Sequence, residues 1–291
     1  MVDSKTLDEL FRLAVSAIDA GDVNELEHLV AANGRLVCER LDSPGTWLCD
    51  KVGAAIDGFF QKPYLLWFIA EDPVRNGKLP GNIAEVARTI LRAARRTCAD
   101  SLRQQLDYAL RLVSWSWIAR EYDVQIDLID VLIEAGASPE GAPDNALVNG
   151  NIAAAEHLVE RGATLTLATA LCLGRWDDVN RLAGVATARE KQFALTLGAL
   201  RGNAEALRRI IAMRVDVNTV SSDLYSHATP LHHAVSSGSL DAVRVLVEAG
   251  AHLGARDTAY NATPVGWAEY SPGKQSYDEI AVYLREAERE R

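Results

Sequence analysis

Thr229-Pro230-Leu231-His232-His233-Ala234-Val235-Ser236-Ser237-Gly238, running on to Val245-Leu246-Val247-Glu248-Ala249-Gly250-Ala251, is the stretch on which the fold turns. Counting from Gly238, apolar residues fall two, five, eight and nine positions later, at Leu240, Val243, Leu246 and Val247, and Gly250-Ala251 closes the segment. That spacing puts the four side chains on one face of a helix, and the glycine supplies the positive φ that commonly ends one.

The frame recurs in both directions. It begins again at Gly150 (Ile152, Ala155, Leu158, Val159, then Gly162-Ala163) and at Gly202 (Ala204, Leu207, Ile210, Ile211). It returns at Gly21 (Val23, Leu26, Leu29, Val30) and near Val124 (Ile126, Ile129, Leu132, Ile133, then Gly136-Ala137). Glu27-His28-Leu29-Val30 and Glu156-His157-Leu158-Val159 occupy matching positions. Degenerate copies start at Gly174 (Trp176, Val179, Leu182) and at Gly81 (Ile83, Val86, Ile90), and a last one carries Tyr277, Ile280, Tyr283 and Leu284. The unevenly spaced starts bracket a period of about 33 residues, and units of this kind bury their apolar faces only against neighbours.

Thr229 to Ala251 closely resembles the ankyrin pattern, and Thr263-Pro264-Val265-Gly266-Trp267-Ala268 looks like the next T-P-L-H-x-A with Val265 and Gly266 replacing Leu and His. Asn145-Ala146-Leu147-Val148-Asn149-Gly150 and Ala170-Leu171-Cys172-Leu173-Gly174 resemble first helices that lack the Thr-Pro start. The chain is also similar to degenerate bacterial ankyrin-repeat proteins. The resemblance implies an all-α solenoid of about eight stacked helix–turn–helix units with finger loops beside a concave face, irregular in its N-terminal third. Residues 1–119 are expected to form an irregular helical or degenerate segment, and 120–291 the repeats with a capping helix. In the first segment, Pro63 to Ala70 reads as a degenerate first helix and Asn82 to Arg96 as its partner after a loop at 72–81. The alternative is a separate helical insertion, since Pro44, Gly45, Gly53, Gly58 and Pro63 punctuate the run. Polar helices at Ser4 to Ala20 and Tyr277 to Glu290 are expected to protect the ends.

With 48% hydrophobic and 24% charged residues the chain is of globular composition. A net charge of −10 disfavours broad binding to nucleic acid or anionic membranes. No secretory pattern is read at the N-terminus, and the apolar run at Tyr64 to Ala70 is far short of the roughly 20 residues that span a bilayer. Cys38, Cys49, Cys98 and Cys172 stand singly, without a CxxC pair, and read as free thiols of a cytoplasmic protein.

The resemblance gives His232 the role of the signature histidine, which ties neighbouring loops by hydrogen bonds, whereas His233 falls at the variable position and is expected to be exposed. No zinc-ligand spacing, nucleophile elbow or phosphate-binding glycine loop accompanies these residues, so no metal, cofactor or catalytic site is expected. Asp223, Leu224, Tyr225 and His227 lie on an unusually long finger, the preferred contact loop, and Arg256, Asp257, Tyr260 and Asn261 on the next. Trp115 and Trp117, two apart, would point about 200° from each other on a helix, so one is expected at the surface. Arg88, Arg92, Arg95 and Arg96 form a basic stripe that reads either as a dock for an acidic peptide or as a solvated face paired to Glu85 and Asp100.

These readings point to a non-enzymatic scaffold or adaptor that binds a protein partner. A second class of function, a small-ligand pocket or enzyme, would place its cleft between 36–119 and the repeats, near Trp67, Arg75, Arg95 and Trp115. A monomer is expected, with self-association through an exposed end as a third reading.

Overall fold

A computed structural model describes residues 6–270 and 275–290, and among the described residues it contains helices and no strand. It divides into two compact units, Met1–Thr164 and Leu165–Arg291.

In the first unit the helices are α1 (Leu7–Ala20), α2 (Val23–Ala32), α3 (Arg35–Cys38), α4 (Thr46–Val52), α5 (Ile83–Thr97), α6 (Ala99–Trp115), α7 (Trp117–Glu121), α8 (Gln125–Ala135), α9 (Ala142–Val148) and α10 (Ile152–Glu160). A short 3-10 helix at Gly53–Ile56 and another at Leu65–Ala70 precede α5. Four pairs follow one another: α1 with α2, the 3-10 helix Leu65–Ala70 with α5, α6 with α8, and α9 with α10. The second unit holds four more, from α11 (Leu167–Cys172), α12 (Trp176–Ala183), α13 (Ala188–Leu200), α14 (Ala204–Ala212), α15 (Pro230–Ser236), α16 (Leu240–Glu248), α17 (Pro264–Glu269) and α18 (Gln275–Arg289). There the first helices α11, α13, α15 and α17 pack in a row, and α14, α16 and α18 in another. The all-α fold of stacked helix–turn–helix units is therefore as the repeat frame implies. Each of the eight frames is the second helix of a pair, and α1 and α18 are the terminal helices expected. Ser4 and Lys5 lie outside the described residues.

The fifth position of the frame makes the core. Leu26, Val86, Ile129, Ala155, Val179, Leu207, Val243 and Ile280 are each at most 1% exposed. The second position varies from frame to frame: Ile83 there is fully buried and Ile152 is 53% exposed, so the apolar stripe is in places narrower than the sequence suggests. Five frames start on a glycine with positive φ; ahead of α8 that conformation is taken by Asp123, one residue before the frame read at Val124, and Arg214 takes it where other frames close on glycine. The uneven spacing comes mainly from the connections before the first helices, which run from 4 residues ahead of α13 to 17 ahead of α15, while the first helices themselves run from 6 to 13 residues in the second unit. Threonines cap all four: Thr166 remains as N-cap of α11 although the proline is gone, and Thr187, Thr229 and Thr263 serve α13, α15 and α17.

Leu65–Ala70 is a 3-10 rather than an α-helix. All six side chains are buried, so no polar face is available to orient a helix, and the run is confined between Pro63 and Glu71, which takes a left-handed conformation. Its Phe68 ring meets those of Phe11, Trp47 and Phe60 at 6.3, 6.4 and 5.2 Å. The turn that follows is held by charge. Glu71 Oε1 accepts the backbone N–H groups of Arg75, Asn76 and Gly77, while Arg75 donates to Asp19 at 2.8 Å and to the Phe68 carbonyl at 3.1 Å. Glu71 Oε2 lies 2.9 Å from the same guanidinium. Trp67 and Arg75 are thus interior groups, which takes two residues out of the cleft that the ligand-pocket reading needs, while Arg95 is exposed and donates to the Glu134 carbonyl at 3.4 Å.

Helix α6 stops at Trp115, where Ser116 both ends it and caps α7 through Ala119 N–H. Its last carbonyls are satisfied from later elements: Gln125 donates to Val113 and Ser116, and Asn151 to Ser114. Trp115 and Trp117 therefore do not share a helix. Trp117 is 52% exposed because the chain breaks between them, and Trp115 is half-buried edge-on to Phe59 at 5.9 Å. None of the described helices is long and apolar enough to cross a membrane.

The cysteine expectation is corrected in part. Cys38 and Cys98 are joined by a disulfide with a Cα–Cα distance of 5.2 Å, because α3 packs on α5 and brings together residues 60 apart; Cys49 and Cys172 take no part in a disulfide. Two predictions follow from this architecture. Thiol titration of the unreduced, denatured protein is expected to find two reactive thiols, and reduction to lower the unfolding free energy by up to about 4 kcal/mol, as closure of a loop of this length implies; four thiols before reduction would contradict the bridge. At Gly202, with φ +60°, an added Cβ would meet Ser239 Cβ at 2.7 Å and Ser237 Oγ at 2.8 Å. Gly202→Ala is therefore expected to cost about 1–3 kcal/mol in a urea melt, and an unchanged midpoint would refute that packing.

Candidate functional site

The richest constellation lies in the second unit, on the fingers that precede α15 and α17. Asp216 starts the first finger by accepting from Asn218 N–H at 2.9 Å and Thr219 Oγ1 at 2.7 Å, contacts that hold its carboxyl below the usual range. Asn218 then bridges to the next repeat: its Nδ2 donates to the Gly250 carbonyl at 3.2 Å, and its Oδ1 accepts from His252 N–H at 2.7 Å. Farther along, Thr258 N–H donates to the His227 carbonyl at 2.8 Å and fastens the two fingers together.

Asp257 organises the second finger from inside. It is buried, and its oxygens accept from the N–H groups of Ala259, Tyr260 and Ala262 and from the Trp267 indole at 3.0 Å. Burial pushes this carboxyl up, but the indole and the three amides outweigh it and hold the group at about 2. Asp257 is a frame residue rather than the exposed finger-tip group expected.

His232 behaves as the resemblance implies. Its Nδ1 accepts from Thr229 N–H at 3.3 Å and lies 2.8 Å from Thr229 Oγ1, leaving Nε2 to donate to the Ala262 carbonyl at 3.1 Å, across to the next finger. Burial keeps this imidazole below its ordinary pKa. His233 corrects the expectation of exposure: it is 2% exposed, and its ring lies 5.9 Å from Tyr225, 6.1 Å from His227 and 6.2 Å from Trp267. Leu224 is likewise buried, because it anchors the finger. Asp223 is ion-paired with Arg189 of α13, which stabilises its carboxylate.

What remains at the surface is aromatic. Tyr225 is 47% exposed and Tyr260 79%, and both Tyr225 and Asn261 sit at positive φ, which turns the finger tips outward. Arg256 is exposed and donates to the Asn261 carbonyl at 2.6 Å. Beneath Tyr260 opens a cleft of about 530 Å³ lined by Trp267, Tyr270, Tyr277, Ser236, Ala262 and Gly266. The structure thus gathers Tyr225, His227, His233, Asp257 and Tyr260 around Trp267. Arg88, Arg92, Arg95 and Arg96 lie elsewhere, exposed on α5, and Trp115 and Trp117 lie at the break after α6.

Sequence reasoning missed Trp267, Tyr270 and Tyr277. A usable signal existed for Trp267. His233 and Trp267 each occupy the variable position of T-P-L-H-x-A in successive copies, so stacked repeats bring those side chains together. Among the described residues no group of three His, Cys, Asp or Glu side chains is placed to hold a metal ion.

A stack of paired helices joined by fingers of this kind defines a helical-repeat protein. Residues 144–257 match the family model of ankyrin repeats (3 copies), which supports the ankyrin-repeat reading over that stretch. No curated protein matches the chain significantly. Ankyrin repeats generally mediate protein–protein interaction and are typically non-enzymatic.

The buried His233 imposes a pH dependence. Burial, resisted by the nearby Tyr225 and Ala228 backbone, lowers its pKa to about 4, whereas the unfolded chain restores about 6.5. Its depressed value means that the contribution to stability is complete above pH 6.5 and is lost as pH falls toward 4, a change of about 3 kcal/mol in all. Asp72, raised to about 6 by burial, acts in the opposite sense but is common to wild type and variant. The stability difference between wild type and His233→Gln is therefore expected to change by about 2–3 kcal/mol, to the disadvantage of wild type, between pH 6.5 and 4.5 in denaturant titrations. A difference independent of pH would refute the buried neutral imidazole.

Proposed function

We propose that the chain is a non-enzymatic scaffold or adaptor that holds a protein partner on the finger tips and adjoining aromatic cleft of its second unit. The observation that carries this reading is the pair Tyr225 and Tyr260. Both are large, largely unburied rings held outward on loops whose own hydrogen bonds are already satisfied by Asp257, Asn218 and the His227–Thr258 link. Tyr260, at 79% exposure, adds little to the packing of its own loop, while Tyr225 packs one side against the His233 ring and leaves the other open. On a preformed loop an exposed aromatic supplies contact area at little cost in ordering. The cleft beside Tyr260 offers a concave surface for an apolar side chain of the partner, with Trp267 in its lining.

Arg256 and the Asp223–Arg189 pair supply a polar rim, the usual surround of an aromatic interface centre. The test is affinity capture from lysate of the source cell with the native chain and with the double variant Tyr225→Ala/Tyr260→Ala. A specific protein retained by the native chain is expected to bind the variant about thirtyfold or more weakly, the effect of removing one strong aromatic anchor. Retention of the same partner by both would exclude the finger tips as the contact surface. A co-purifying small molecule in place of a protein would favour a ligand-binding role.

A further inference from the structure

The arginine stripe of α5 is not absorbed by the finger surface. Arg88, Arg92, Arg95 and Arg96 are all exposed, and among the described residues no carboxylate lies within ion-pair distance of any of them. The expected partners Glu85 and Asp100 do not engage them. Elsewhere on its helices the chain pairs such groups: Arg35 holds Glu39, Arg103 holds Asp107, Arg181 holds Asp178 and Arg209 holds Glu205, each three or four residues away. Arg95 and Arg96 in the last turn complement the helix dipole, but Arg88 and Arg92 stand too far from the C-terminus for that explanation.

The stripe has a shape as well as a charge. Arg92 and Arg96 border a groove of about 280 Å³ between α5 and α2, whose sides include Val30, Ala31 and Ala93 and whose opposite wall carries Glu27. Arg88, Arg92 and Arg96 follow at four-residue intervals, about 6 Å apart along the helix axis. In an extended chain alternate residues are separated by about 6.6–7 Å. An extended segment with acids at every second position therefore meets the three guanidinium groups nearly in register, each able to take a carboxylate through two parallel N–H donors.

We propose that α5 is a second docking site, separate from the finger surface, for an extended acidic segment of a protein partner with Asp or Glu at alternate positions. Charge distribution selects this occupant over a nucleic acid. The favourable field is confined to about 12 Å of helix on a chain of net charge −10, so a long polyanion would run beyond the stripe into repulsion, whereas a short acidic segment need not.

The probe is a fluorescein-labelled peptide alternating Glu and Ala, titrated at low salt with the full chain and followed by anisotropy. The control peptide has Lys in place of Glu, and single-stranded oligothymidylate is the competing polyanion. Expected is saturable binding of the Glu peptide only, weakened about tenfold or more by Arg92→Gln/Arg96→Gln and weakened by added salt. Arg181→Gln/Arg208→Gln, which removes the same charge elsewhere, is expected to leave binding unchanged, and thermal melts of both variants confirm that they fold. No binding of the Glu peptide, equal loss in the two double variants, or tighter binding of oligothymidylate through Arg92 and Arg96 would each overturn the proposal.

Discussion

A single pair of short helices leaves too much apolar surface uncovered to be stable alone, and this constraint governs every element of the chain. The frame's fifth position shows how it is met. From Leu26 to Ile280 that side chain is shut off from solvent in all eight pairs, although the helices around it differ in length and sequence. Given cover from a neighbour, the remaining positions are free to diverge. Ile152 can face solvent, Asp123 and Arg214 can stand where other frames use glycine, and α13 can be twice as long as α11.

The two units solve the same problem by different chemistry. In the second, regular helix pairs stack and the connections between them are fastened by polar side chains that act at a distance: Asn218 to Gly250 and His252, and His232 to Ala262. In the first, a fully apolar 3-10 segment forms the interior, and the turn after it is fixed by the Glu71–Arg75–Asp19 cluster. Removing one partner from such a cluster leaves an uncompensated charge in a dry place, so its value lies in specifying one conformation for a segment that lacks helical periodicity. The Cys38–Cys98 bridge adds a covalent tie to the same irregular region.

What could be read from the sequence follows this division. The frame at Gly238 and its copies located all eight second helices because the 3.6-residue period is imposed by one-sided burial, which leaves a pattern in the sequence. Burial on every side leaves none, and so Leu65–Ala70 reads equally well as α-helix or 3-10 helix. The disulfide was hidden because 60 intervening residues carry no record of which helices pack together. Trp115 and Trp117 were placed on one helix for want of a visible stop, the capping of α6 being supplied by Gln125 and Asn151 from later in the chain.

The same logic separates frame from surface at the fingers. His233, Leu224 and Asp257 have the residue types of contact groups, yet each is consumed by the loop itself: one as a neutral ring among aromatics, one as an apolar anchor, one as the acceptor of four N–H groups. Their burial gives Tyr225 and Tyr260 a rigid mount. A finger whose internal donors were unsatisfied would have to order itself on binding, and that cost would be subtracted from the affinity of every contact it made. Asp257 joins the Tyr260 loop to Trp267, and Tyr260 and Trp267 both line the cleft, so the residues that stabilise the last repeats also hold two of its walls in place. On the proposed reading, stability and recognition depend on the same hydrogen bonds in this part of the chain, with the Trp267 indole donating to the carboxylate that orders the Tyr260 loop.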